Sequence, residues 1–159
     1  MTATLSPAAL EGLLQRAREA RDPSLLVAAI PYAQFLGLEI ELEGDGVRGR
    51  LRYDESLIGD ATIPALHGGT IAALLESTAI LDVLWREEDE IVLPRTITFT
   101  IDYLRSGRPV DTLCRASIVR QGKRVVVVSV SAFQEADESR PIATAVVHLL
   151  VARDTSDAD

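Results

Sequence analysis

The spacing of apolar residues changes several times along the chain, and each change predicts a different element. In residues 7–21 apolar side chains recur three or four positions apart behind Ser6-Pro7, a pair typical of a helix start. Asp22-Pro23-Ser24 then ends this helix, and residues 25–30 favour a short second helix before Pro31. The sequence therefore predicts that the chain opens with helices.

Alternation of apolar and polar residues replaces the helical spacing from residue 35 onwards. Residues 35–43 and 47–53 predict a hairpin around Gly44-Asp45-Gly46. Alternation returns in four further predicted strands, at residues 96–104, 110–120, 124–133 and 141–151. In the first of these, the residues predicted to share one face are Ile97, Phe99, Ile101 and Tyr103.

Between the two groups of strands lies a run, from Gly68 to about Arg86, that is apolar almost all round. Such a helix has to be surrounded by other elements, so the sheet is predicted to wrap around it. The fold class that follows is α+β, with an antiparallel sheet, one long central helix and an extra helix at the N-terminus.

His67 and Glu76 stand nine positions apart at the start of this helix. On one helix, nine steps amount to about 900° of rotation and about 13 Å of rise, which predicts opposite faces. The two side chains then cannot serve one reaction centre from one chain. Two copies of the helix, antiparallel across a twofold axis, could bring His67 of one chain to Glu76 of the other.

Length and composition narrow the class of protein. The 159 residues suit one domain, and 47% hydrophobic residues with a mean hydropathy of +0.16 favour surface buried by oligomerisation. A net charge of −8 argues against non-specific nucleic-acid binding. We expect no membrane span, because the longest uncharged run, residues 61–75, is too short to cross a bilayer.

Few residues are available for redox or metal chemistry. The single cysteine, Cys114, fits a reducing cytoplasm and is interpreted as a buried structural thiol. His148 lies among Val and Leu, as a core or interface histidine would. With two histidines and one cysteine, we predict neither a metal site nor a cofactor, and a cytoplasmic location.

The run from Pro64 through His67-Gly68-Gly69 to Glu76 resembles the signature of PaaI-like hotdog-fold acyl-CoA thioesterases. Residues 102–109 and 119–124 also resemble the strand end and hairpin of that family. The resemblance covers roughly residues 30–151. It implies a hotdog domain over residues 31–153, after a helical extension at 1–30 and before a disordered acidic tail at 154–159.

This resemblance implies hydrolysis of a small or medium acyl-CoA in a site shared by two subunits of a homodimer or a dimer of dimers. By it, Gly68 polarises the thioester carbonyl, Glu76 is the nucleophile or general base, and Thr96 contacts the reaction centre. The residues themselves support an oxyanion hole, because the N–H groups of Gly68 and Gly69 lack intrahelical partners and glycine admits close approach.

Each of these residues has a simpler interpretation. His67, the other catalytic candidate, either transfers a proton or, as we favour, caps the helix and positions the turn. Glu76 could bond a hydroxyl of Ser77 or Thr78 or lie at the dimer seam without chemistry, and Thr96 could face solvent. Many relatives carry an asparagine six or seven residues before the histidine, where this chain has Asp60-Ala61. Asp60 could substitute, although a second carboxylate near Glu76 would oppose its ionisation.

Five cations are predicted to cluster at the ends of adjacent strands, where they are the candidates for binding CoA phosphates, with solvated edge charges as the alternative. They are Arg105, Arg108, Arg120, Lys123 and Arg124. Two other functions stay open on the same fold: a non-catalytic acyl-CoA-binding protein, favoured by the missing asparagine, and a hydratase or dehydratase.

Overall fold

A computed structural model describes residues 5–89 and 91–152. Helix α1 (Pro7–Ala20) begins as predicted, with the Ser6 hydroxyl accepting the Ala9 N–H, and buries Leu10, Leu14 and Ala17. These side chains belong to the same hydrophobic core as the central helix. The boundary at residue 30 stays a prediction, and the acidic tail at 154–159 lies outside the described residues.

A 3-10 turn (Pro23–Ala29) takes the place of the predicted second helix. The sequence did not predict the next element, helix α2 (Pro31–Phe35), whose residues were assigned partly to a strand. Gly37 follows it with φ +66°, a left-handed conformation that suits glycine and turns the chain into the sheet.

Six antiparallel strands form the main sheet, in the order β1-β2-β6-β7-β8-β5. They are β1 (Leu38–Glu43), β2 (Gly46–Leu51), β5 (Arg95–Tyr103), β6 (Thr112–Gln121), β7 (Val125–Gln134) and β8 (Ala143–Leu150). The predicted loop before the central helix contains a small additional pair, β3 (Ile58–Asp60) and β4 (Ala65–Leu66). Strand β5 lies at the edge of the main sheet and pairs only with β8 among the described strands.

Helix α3 (Gly68–Arg86) runs across one face of this sheet, over the residues the sequence predicted. Its length and composition would suit a membrane span, but 67% of that apolar stretch is buried inside the fold, as in a core helix. Strand β2 approaches it most closely at Gly49, where a Cβ atom would lie 2.0 Å from the Thr78 hydroxyl oxygen.

A buried carboxylate ties the far end of α3 to the first hairpin. Asp82 is 1% exposed and accepts the Val47 N–H and the Arg86 Nε–H, each at 2.9 Å. Burial raises the pKa of the Asp82 carboxyl, although both donors act against that rise. Arg86 also binds Asp45 in the hairpin turn at 2.7 Å, so the helix end, β2 and the turn are held together.

The alternation predicted for β5 is wrong at its start. A bulge at Ile97 shifts the register, so Thr96 pairs with Leu149 and Thr98 with His148. Because Leu149 is a core residue, Thr96 faces α3, whereas Ile97 is 56% exposed.

Candidate active site

His67 caps α3 and is not part of its helical turns. Its backbone is extended, at φ −62° and ψ 131°, and its Nδ1 accepts the Gly69 N–H at 2.9 Å. The capping interpretation is therefore confirmed. Since an accepting Nδ1 carries no proton, a neutral His67 holds its proton on Nε2.

The cap leaves one candidate oxyanion donor at the helix start. Because the Gly69 N–H is bound to His67, the predicted pair of free donors is wrong for Gly69. The Gly68 N–H has no acceptor within the described residues. A helix N-terminus is a favourable environment for developing negative charge, so this donor has the direction that an oxyanion requires.

Three hydrogen bonds hold this turn in place from different sides. The Leu66 N–H donates to the Gly107 carbonyl at 2.9 Å, and the His67 N–H donates to the Leu57 carbonyl at 2.8 Å. The Tyr103 hydroxyl donates to the Gly68 carbonyl at 2.7 Å. The turn is therefore fixed by the loops before and after it and by the end of β5.

Glu76 lies in the middle of α3, half-buried, with no hydrogen bond or ion pair to any residue the structure describes. The Thr78 hydroxyl donates to the Leu74 carbonyl at 2.7 Å, which argues against the simpler interpretation for that side chain. Gly68, Ala72, Glu76 and Ile80 are all half-buried, at intervals of four residues.

The stripe formed by these four residues changes the predicted relation between the helix start and Glu76. His67 lies outside the helix, so counting helical turns from it was wrong, and Gly68 shares the outward stripe with Glu76. Eight residues separate them, about 12 Å along the axis, so the donor and the carboxylate of one chain remain too far apart for one reaction centre.

Thr96 is half-buried on the side of β5 that faces α3, and its buried hydroxyl oxygen has no hydrogen-bond partner among the described residues. The solvent-facing interpretation is therefore wrong. A buried hydroxyl without a partner costs about 1–3 kcal/mol, which makes this group a candidate for binding water or a ligand.

Asp60 is occupied by its own loop. Its carboxylate accepts the N–H and the hydroxyl of Thr62 at 2.8 and 2.6 Å. The Thr62 hydroxyl and amides lower the pKa of this exposed carboxyl. In this arrangement Asp60 serves as a turn residue and does not contact Glu76.

The predicted cluster of five cations is wrong within one subunit, because the antiparallel order separates it into two groups. Arg105 and Arg108 follow the end of β5 that adjoins Tyr103. Arg120, Lys123 and Arg124 lie at the opposite end of the sheet, about 30 Å away along ten-residue strands. Arg105 donates to the Pro141 carbonyl at 2.6 Å, and Arg108 pairs with Glu135 at 2.8 Å.

Grooves flank the start of α3 on two sides. One, of about 890 Å³, lies between α2, the loop after β2, and the residues His67 and Thr70. The other, of about 570 Å³, is lined by Gly68, Tyr103 and Arg105. A third cavity, of about 410 Å³, shares Arg105 with it and adds Arg108 and Arg140.

Gln134 was missed from the sequence, although it supports the groove beside Gly68. It is buried, accepts the Arg108 N–H at 3.1 Å and donates to the Arg108 carbonyl at 2.9 Å and the Thr112 hydroxyl at 3.0 Å. It thereby fixes the loop that carries Gly107 and both nearby arginines. Its position at the polar end of a valine-rich strand was the only signal available.

Cys114 and His148 lie away from this turn. Burial raises the pKa of the Cys114 thiol to about 12, which fits the predicted structural thiol. His148 points away from α3, so its assignment to the core is wrong, and its interface role stays a prediction. Within residues 5–89 and 91–152, no three His, Cys, Asp or Glu side chains are grouped to hold a metal ion.

Known proteins resemble this chain over most of its length. A family model described as the thioesterase superfamily matches residues 64–140. The medium/long-chain acyl-CoA thioesterase YigI of Escherichia coli is 31% identical over 140 residues, 80% of this chain and 89% of that protein.

Solved structures give the same relationship. A crystal structure from Chromobacterium violaceum is 33% identical, covers 88% of this chain and 96% of its own, and has a TM-score of 0.69. A phenylacetic acid degradation-related protein of Ralstonia eutropha, 19% identical, shares the fold with a TM-score of 0.70, covering 87% of this chain and 99% of its own. In sequence and in fold, with the hotdog sheet around its central helix, the chain belongs to the thioesterase superfamily and is a thioester hydrolase.

Proposed function

We propose that this protein hydrolyses acyl-CoA thioesters in a site formed by two copies of the chain. The observation that carries the proposal is the unpaired Gly68 N–H at the start of a 19-residue helix, held by three hydrogen bonds and open to grooves. This donor suits the thioester oxyanion. The name of the YigI relative supports acyl-CoA as the substrate.

The half-buried stripe on α3 supports a shared site. Ala72 lies midway between Gly68 and Glu76, four residues from each. If two α3 helices cross antiparallel at Ala72, Gly68 of one subunit comes opposite Glu76 of the partner subunit. Alanine at the crossing point permits close approach of the two helices.

The position of β5 at the edge of the sheet, where it pairs only with β8 among the described strands, supports the same symmetry. An edge strand can add a second copy of itself antiparallel, and a twofold axis near Phe99 would bring Tyr103 close to the start of the partner's β5. The partner subunit's Thr96, with its unpaired hydroxyl, would then approach Tyr103 and Gly68. A dimer of such dimers remains compatible with this arrangement.

The juxtaposition of Gly68 with the partner's Glu76 suggests a mechanism of thioester hydrolysis. The partner's Glu76 either removes a proton from water that attacks the carbonyl carbon, or attacks that carbon itself to give an anhydride that water then cleaves. The Gly68 N–H stabilises the oxyanion, the carbon–sulfur bond breaks, and the sulfur leaves as a thiolate. This thiolate becomes the CoA thiol by taking the proton that the partner's Glu76 removed from water or, in the anhydride route, a proton from solvent water. Arg105 and Arg108 are the candidates for CoA phosphates beside Gly68, and the partner's Arg120, Lys123 and Arg124 could approach them across the axis.

Two substitutions at Gly68 test the donor. Gly68→Pro deletes the N–H, and proline suits the first helical position, while the extended backbone of His67 suits the residue before proline. Gly68→Ala keeps the N–H and introduces the same Cβ, which would lie 3.1 Å from the Tyr103 ring. We expect kcat for release of CoA thiol to be lower by about 100-fold or more in the proline variant than in the alanine variant. Equal rates would exclude Gly68 as the donor.

Complementation tests the shared site. Glu76→Gln and Gly68→Pro should each be inactive alone. Glu88→Gln removes the same charge from an exposed residue and should keep wild-type activity. Random mixing gives about half heterodimers with one intact site each, so about a quarter of wild-type activity should return. Failure of activity to return in mixtures shown by mass spectrometry to contain heterodimers would locate the site within one chain. Product analysis separates hydrolysis from hydration, and binding without turnover would indicate a non-catalytic acyl-CoA-binding protein.

A further inference from the structure

The groove beside α2 has a volume of about 890 Å³, against about 570 Å³ for the groove lined by Gly68, and α2 lies outside the stretch matched by the family model. Two aromatic side chains of α2 line it, Tyr32 and Phe35, which are 57% and 79% exposed. Their rings stack with centroids 6.0 Å apart. Exposed apolar side chains that line a groove are a feature of ligand-binding grooves.

The backbone that carries the aromatic pair is anchored in the core. Ala33 lies between the two rings in sequence and is fully buried in the core, and Leu36 packs against the core behind them. Because Ala33 anchors the helix, Tyr32 and Phe35 are presented outwards without needing a conformational change. A pre-formed apolar wall costs little ordering entropy when a ligand binds.

The opposite side of the groove leads to His67 and the start of α3. Tyr53, Leu57 and Ile58 line it, and the Leu57 carbonyl accepts the N–H of His67, which also lines the groove. The groove with the aromatic wall is therefore separated from the Gly68 N–H by one residue, His67, which caps the helix. On the other side of Gly68, the groove is lined by Arg105 and leads towards Arg108.

We infer that this groove binds the acyl chain of the substrate, with Tyr32 and Phe35 selecting long apolar chains over short ones. The inference rests on the proposed function and adds the position and class of the acyl group. The arginine side suits the anionic CoA portion, and the wall of Tyr32, Phe35, Leu57 and Ile58 suits the hydrocarbon, while Glu39, Arg52 and Asp54 also line this groove. A thioester carbonyl at Gly68 lies between them, so the two halves of the substrate extend to opposite sides of the helix start.

The test compares dodecanoyl-CoA with acetyl-CoA in the full-length protein. In the Tyr32→Ala/Phe35→Ala double variant, we expect the ratio of kcat/KM for the long over the short substrate to fall about tenfold or more, since the wall that contacts the long chain is removed. Leu25→Ala is the matched control, because Leu25 is an exposed apolar residue of the same segment that does not line the groove. Its ratio should equal that of the wild type.

A binding measurement makes the result independent of turnover. The thioethers S-dodecyl-CoA and S-ethyl-CoA cannot be hydrolysed, and calorimetry should show that the wild type prefers the dodecyl compound and that the double variant loses this preference. An unchanged preference in both measurements would overturn the acyl-groove inference while leaving the thioesterase proposal intact. A change of oligomeric state in the double variant, seen by sedimentation, would instead identify the aromatic pair as a contact between copies and would also overturn it. Failure of the wild type to release thiol from any acyl-CoA would refute the proposed function separately.

Discussion

His67 offers the sharpest separation between positioning and proton transfer, because its role in the fold is visible. His67→Ala removes the Nδ1 acceptor of the Gly69 N–H, whereas His67→Asn supplies another good capping acceptor. Loss of an N-cap costs about 1 kcal/mol, and for a chain of this length that lowers Tm by about 2–4 °C. His67 is exposed, so its removal leaves no cavity in the core and adds little to that cost.

Activity should follow the cap if His67 only positions the turn. Without the cap the first turn of α3 can fray, and misorientation of the Gly68 N–H should lower kcat about tenfold in His67→Ala. His67→Asn should recover most of both Tm and kcat. Thermal unfolding followed by circular dichroism, together with a thiol-release assay, measures the two quantities on the same samples.

Proton transfer by His67 predicts a different pattern. An asparagine cannot act as an acid or base, so His67→Asn would then be as slow as His67→Ala while regaining its Tm, with losses of about 100-fold or more. That combination would refute the positioning role. A Tm unchanged in His67→Ala would refute the energetic importance of the cap itself.

Three further predictions concern buried groups. Thr96→Val replaces a hydroxyl that has no partner among the described residues by a methyl group, so the free energy of unfolding of the isolated subunit should rise by about 1 kcal/mol. Turnover should fall in this variant and be restored in Thr96→Ser. A loss of stability in Thr96→Val would show that the hydroxyl has a partner in the folded subunit. The raised pKa of Cys114, about 12 when folded against 9.0 normally, means that the unfolded thiol ionises first, so stability should fall between pH 9 and 12. Relative to Cys114→Ala, the fall measured in urea titrations should be about 1.4 kcal/mol per pH unit, and parallel pH profiles would exclude it. Gly49→Ala should destabilise the protein by about 3 kcal/mol, because its Cβ would overlap the Thr78 hydroxyl. In a double-mutant cycle, Thr78→Ala should recover part of that loss. Strictly additive effects would show that the two side chains do not touch.

The elements that could be predicted from the sequence are those with a strong local signal. The Gly68-Gly69 pair and the apolar run behind it gave α3 with its observed bounds, and Ser6-Pro7 gave the start of α1. Helix α2 could not be found in this way, because five residues carry little more than one turn of periodicity and Pro31 also suits a loop.

Alternation predicts the two faces of a strand but leaves its register open. Residues 96–103 alternate without interruption, so the sequence contained no sign of the bulge at Ile97 that turns Thr96 towards the helix. The five cations show a related limit. Both groups of cations lie at strand ends, but the antiparallel strand order decides at which end of the sheet each group lies. The separation of Arg105 from Arg120 is therefore seen only in the assembled sheet.

The two carboxylates of α3 show why chemistry is harder to predict than fold. Asp82 and Arg86 are four residues apart, a spacing typical of a helical ion pair. Both oxygens of the buried Asp82 are bound, one to the Val47 N–H of the hairpin and the other to Arg86. Glu76 has no such partner among the described residues and lies on the outward stripe with Gly68. A carboxylate whose oxygens are already bound cannot easily accept a proton from water, whereas in the proposed dimer the unpaired Glu76 is available to do so. The distinction between a structural and a catalytic acid therefore depends on what each oxygen contacts, which spacing along the chain does not determine.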